Sequence, residues 1–197
     1  MARPRTISDT AILAATGRAI ARHGLPGLSL AMIAKETGLA PATLVQRFGS
    51  KRGLLLAFAE QAEPGARRPF QTAREAHGSP LAALRSALAA MASQVRDREE
   101  LANHLTFLRL DLTDPEFHGH ALTHTLAVRQ EIADLLAEAV RAGELDERGD
   151  TGRLARTIQV TYNGALIVWA LTGDGELPEL LAETLDDVLS PFSPRPA

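Results

Sequence analysis

Apolar residues recur along this chain at spacings of three and four, and no stretch alternates long enough to argue a strand. Ile12, Ala15, Ala19 and Ile20 form a stripe that predicts a helix over residues 6–23. Ser8 or Thr6 caps it and Gly24 ends it. Gly17 weakens it by about 1 kcal/mol relative to alanine. Leu25-Pro26-Gly27 then reads as a turn. Ser29 is an N-cap for a second helix to residue 37, with Leu30, Ile33 and Ala34 inward and Gly38 as its stop. Pro41 stands at the first position of a third, short helix over 41–48, where its missing N–H has no cost. Leu44 and Phe48 turn inward there and leave Thr43, Gln46 and Arg47 on other faces. Ser50 opens a fourth helix over 51–63, with Leu54, Leu55 and Phe58 inward.

Pro64-Gly65 and Pro69 predict a break, and residues 64–79 are the expected boundary between two parts. Further helices are expected over 80–96, 99–112, 115–142, 152–171 and 178–189. The fold class is therefore all-α with about nine helices. A three-helix head occupies residues 1–52, a connecting helix 51–63, and a larger helical domain 64–197.

Charge divides the chain at the same place. Residues 1–52 carry eight Lys/Arg against two Asp/Glu, and the remainder 13 Arg against 22 Asp/Glu, for a net charge of −3. A basic head on an acidic body points toward a polyanion partner. The chain has no cysteine, so disulfides and thiolate metal sites are excluded. It shows no secretory pattern and no apolar run long enough to span a bilayer. A cytoplasmic protein with no membrane partner is expected.

Helix, glycine turn, helix over residues 29–48 is a helix-turn-helix pattern. The surrounding residues 7–60 resemble the N-terminal domain of TetR-family transcriptional regulators. The block S-L-x-x-I-A-x-x-x-G-L at residues 29–39 and T-L-x-x-x-F-G-S-K at 43–51 carry the likeness. The helical remainder is similar to that family's ligand-binding and dimerisation domain in organisation.

The resemblance implies double-stranded operator DNA as a partner. It gives phosphate contacts to Ser29 and Lys51 at two helix N-termini. Thr43 would meet phosphate or a base edge, and Pro41 and Ala42 would touch bases. Gln46 would pair with adenine or contact bases with little specificity, and Arg47 would bind phosphate or read guanine. Two positions depart from the family pattern. Val45 stands where Tyr is usual, and Arg47 where His or Tyr is frequent. Arg3 and Arg5 offer either a minor-groove arm or a solvated tail.

A short recognition helix reads too few base pairs alone, so a homodimer on a palindromic operator is expected, built from helices 152–171 and 178–189. A small-molecule effector is expected in the larger domain, within reach of Met91, His104, Phe107, Asp111, His124, Tyr162, Asn163 and Trp169. His120 and His124 share a helix face, but the reading assigns no metal, cofactor or catalytic residue, and no enzyme motif is present. The family's usual mode is repression. The competing reading is a helical ligand-binding or protein-interaction module with a vestigial helix-turn-helix, which Val45 and the acidic body favour.

Overall fold

The computed structural model describes residues 7–146 and 149–194. Arg3, Arg5 and Thr6 lie outside the described residues. Among the described residues there are ten α-helices and no strand. They are α1 (Asp9–Gly27), α2 (Leu30–Thr37), α3 (Pro41–Phe48), α4 (Lys51–Glu60), α5 (Ala62–Ala76), α6 (Pro80–Ala92), α7 (Arg98–Thr113), α8 (Pro115–Arg141), α9 (Thr151–Thr172) and α10 (Leu177–Leu189). The chain is all-α as expected, with one helix more than the sequence pattern suggests.

That extra helix is α5. Pro64 falls in its first turn, where the backbone N–H has no intrahelical acceptor, and only Pro69 interrupts its interior. Ala66, Phe70 and Ala73 lie along one face and are at most 3% exposed. The stripe is thin, two alanines and one ring, which is why the prolines outweigh it in the sequence pattern.

The helices form two compact units, Met1–Ala62 with Arg98–Leu122 and Glu63–Asp97 with Thr123–Ala197. In the first, Ile12, Ile20, Ile33, Leu44 and Leu54 are at most 2% exposed and close the core. Phe107 joins it as the middle ring of an edge-on series, 5.7 Å from Phe58 and 5.8 Å from Phe117. The ring of Phe58 also explains Gly17, because a Cβ there would stand 3.1 Å from Phe58 Cε2.

Three helix starts in this unit carry serine caps. Ser8, Ser29 and Ser50 accept from the N–H groups of Ala11, Met32 and Gly53. Helix α1 kinks at Gly24 (φ 61°, ψ 176°) and continues for one turn to Gly27. Only glycine tolerates that backbone region.

The second unit is built on Phe70, Leu84, Ile132, Leu135, Leu136 and Ile158, none above 2% exposed. Glu131, 6% exposed, is held by Arg67 and Arg74, so its buried charge is paired. A smaller cluster of Ala92, Ala165, Leu177 and Leu181 carries Trp169 on its edge.

Candidate nucleic-acid interface and ligand cavity

Helix α3 is a rigid platform with one buried face. Leu44 is fully buried, while Pro41, Ala42 and Gln46 are exposed and Thr43 is half-buried. Gly38 in the left-handed region (φ 69°, ψ 21°) ends α2, and Pro41 restarts the chain as α3. The next junction depends on a residue the sequence pattern did not single out. A Cβ at Gly53 would collide with the Phe48 carbonyl oxygen, so only glycine lets α4 start this close to the end of α3.

Two of the expected DNA contacts are already engaged within the first unit. Arg47 Nη1 donates to the Ile7 carbonyl at 2.6 Å and to Asp9 Oδ1 at 3.1 Å. Both Nη1 hydrogens are thereby used, and the guanidinium ties α3 to the start of α1. Lys51 Nζ donates to the Leu25 carbonyl at 3.0 Å and keeps two hydrogens in reserve. Leu25 is held a second time, since its N–H donates to Thr106 Oγ1 at 3.0 Å. Asn103 Nδ2 donates to the Ala21 carbonyl at 2.9 Å. Helix α7 thus caps the end of α1 with Asn103 and Thr106, a role 81 residues away from Leu25 in the chain.

The head's positive charge is partly neutralised in place. Arg18 and Arg22 both pair with Glu36, and Arg52 pairs with Asp114 and Glu116 while lying over the Phe117 ring. The bond from Arg52 lowers the Asp114 pKa, and the bond to Asp114 raises that of Arg52. Among the described residues, Lys35 and Lys51 are the head's cations without a carboxylate partner. They are also the two lysines of the whole chain.

The eight residues expected around an effector separate. Met91, His124, Tyr162 and Asn163 line one cavity of about 190 Å³ in the second unit. Gln159, absent from the expected set, completes its polar wall. It is 7% exposed, its Oε1 accepts from Arg129 Nε at 2.9 Å, and its Nε2 donates to the Thr125 carbonyl at 2.9 Å. A glutamine inside the apolar stripe Leu154, Ala155, Ile158 and Ala165 was the available signal.

His104, Phe107 and Asp111 belong to α7 in the first unit. Phe107 is committed to the aromatic series there, and burial lowers the His104 pKa against a smaller opposing effect of Glu100. Trp169 packs with the smaller cluster and donates Nε1 to the Gly175 carbonyl at 3.3 Å. These four are therefore not walls of the 190 Å³ cavity. A second cavity of about 410 Å³ lies between α6, α9 and α10 and shares Leu88 and Tyr162 with the first. Burial raises the Tyr162 pKa. Among the described residues no three His, Asp or Glu side chains gather as a metal site, and no helix is long and apolar enough to cross a membrane.

The first unit thus carries a helix-turn-helix within an otherwise helical chain. Residues 12–58 match the family described as bacterial regulatory proteins, tetR family, and residues 78–193 match the MftR C-terminal domain. The chain belongs to the TetR family of transcriptional regulators.

Solved structures agree on the fold. A TetR transcription regulator from Haloarcula marismortui superposes with TM-score 0.76 at 19% identity, covering 94% of this chain and 97% of that one. A transcriptional regulator from Rhodococcus sp. Rha1 gives 0.74 at 18% identity, covering 94% and 96%. SmeT, the repressor of the Stenotrophomonas maltophilia multidrug efflux pump SmeDEF, gives 0.68 at 19% identity, covering 95% and 91%. No curated protein matches the chain.

Proposed function

We propose that this chain is a ligand-responsive repressor that acts in the cytoplasm and binds a palindromic operator as a homodimer. The observation that carries the reading is α3, whose exposed Pro41, Ala42 and Gln46 stand on a helix anchored by fully buried Leu44. In this reading those three side chains meet base edges, while Ser29, Thr43 and Lys51 meet phosphates. Arg47 acts by holding α3 against α1 through the two bonds of its Nη1. The head is residues 1–52, joined by 51–63 to the ligand-binding and dimerising part, 64–197.

Dimerisation is supported by α9. Val160, Ile167, Val168 and Leu171 fall on one face of it and are 44–78% exposed. Such an apolar stripe suits a second copy in an isologous pairing, with α10 alongside. Effector binding in the second unit would favour one head spacing over another, and a differential affinity of about 1–3 kcal/mol suffices to weaken DNA binding several-fold or more. The repressor named among the solved structures is consistent with this mode.

The experiment is a titration of the full chain against selected duplex operators at about 50 to 200 mM salt. A site that resists competitor DNA, with log K falling steeply in log salt, is the expected result. Binding that competitor removes completely, at every sequence tried, would leave the vestigial helix-turn-helix as the better reading.

A further inference from the structure

Two adjoining cavities of the second unit, the pair that shares Leu88 and Tyr162, together say what kind of molecule they accept. The larger, about 410 Å³, is walled mainly by aliphatic side chains of α6, α9 and α10. Its one arginine is Arg85, whose Nη2 and Nε both bond Asp186 Oδ1, at 2.6 and 3.1 Å. No lysine lines either cavity, and the remaining basic side chains on the walls are His77 and His124. Arg129, beside the smaller cavity, is turned onto Gln159 Oε1. A carboxylate or phosphate entering here would lose its water and find no lysine and no arginine that is not already bonded, which opposes binding.

What the walls do offer is neutral hydrogen bonding at one place. Tyr162 lines both cavities, and its hydroxyl holds only a long bond, 3.4 Å, to the Leu88 carbonyl. Gln159 has one amide hydrogen left after donating to Thr125. Both groups can donate to an uncharged oxygen.

Resting on the effector-binding reading above, we propose that the second unit binds an elongated, uncharged, mainly apolar molecule with one hydroxyl or carbonyl oxygen. The apolar body fills the larger cavity and the oxygen meets Tyr162 at the shared wall. An acid of the same length is rejected.

The test is calorimetric titration of the full chain, without DNA, with hexanol, octanol and decanol and with the matching hexanoate, octanoate and decanoate. The alcohols should tighten about fourfold per added methylene until the cavity is full. Each carboxylate should bind at least about tenfold more weakly than its alcohol. Tyr162→Phe should weaken every alcohol by about two- to tenfold and leave the gain per methylene unchanged. Ala182→Phe, at an exposed residue on the rim of the larger cavity, should abolish the chain-length dependence.

Carboxylates that bind as tightly as the alcohols, no alcohol binding, or alcohol affinity indifferent to Tyr162→Phe would each overturn the proposal. DNA binding is measured separately on the ligand-free chain. Its failure would count against the regulator reading and not against the ligand class.

Discussion

Arg47→Met separates a side chain that touches DNA from one that aims the helix that does. The substitution keeps the aliphatic stem and removes two bonds, 2.6 Å to the Ile7 carbonyl and 3.1 Å to Asp9. Asp9 is 64% exposed, so its ion pair contributes only about 0–1 kcal/mol. The carbonyl bond has a charged donor on a side chain 25% exposed, which places it near the low end of about 1.5–3 kcal/mol. The sum is about 1.5–2.5 kcal/mol, and it bears on the junction of α1 and α3. Amide hydrogen exchange should therefore speed by about tenfold or more across α3 and the first turn of α1. Operator affinity should fall with it, while the slope of log K against log salt stays unchanged, because no phosphate contact is lost. Lys51→Ala is the contrast, and should flatten that slope by about 0.9 per site while disturbing exchange mainly near Leu25. If Arg47→Met flattens the salt slope and leaves exchange untouched, Arg47 is a phosphate ligand and the positioning argument is wrong.

Gly24→Ala should destabilise the chain by about 2–4 kcal/mol in urea unfolding, since it adds strain at φ 61° and sets a Cβ 2.9 Å from Asn103 Oδ1. Gly38→Ala, where nothing lies within 4 Å, should cost only about 1–2 kcal/mol, and equal costs would remove the steric part of the argument. Val168→Arg with Leu171→Arg on α9 should convert the proposed dimer to monomer in analytical ultracentrifugation, and an unchanged sedimentation coefficient would count against a seam on α9. Burial lowers the His104 pKa from its ordinary 6.5. The unfolded chain then binds the proton first, so stability should decline as pH falls below about 6.5 toward the folded-state pKa. His104→Gln should flatten that limb, and an unaltered pH profile would assign the acid sensitivity to other groups.

Most of the fold was legible because local signals agreed. Serine caps at Ser29 and Ser50 and the stop at Gly38 coincide with apolar stripes, and each predicted helix lies within a few residues of its place. Helix α7 is the instructive failure. Its leucines at 101, 105, 108 and 112 recur at helical spacing, yet only Leu101 is buried and the other three are 38–69% exposed. The face that packs on α1 instead carries Asn103 and Thr106, because the kinked end of α1 presents backbone groups that need partners. No periodicity encodes that need.

The internal bonds of Arg47 were not legible for a related reason. Its partners, Ile7 and Asp9, lie about forty residues upstream and are brought near only by folding. The cavity was half legible: Tyr162 and Asn163 share α9 with Gln159 and converge with Met91 and His124, whereas Phe107 on α7 packs in another core.

The two lysines have a practical consequence. Lys35 and Lys51 both sit in the first unit, Lys51 at the start of α4 with its amine against Leu25. Amine-directed labels, crosslinkers or acylating reagents will therefore modify side chains only in the helix-turn-helix head. Coupling this chain to a surface through its lysines would hide the head, and an acyl group on Lys51 would remove a cation while leaving the second unit chemically untouched.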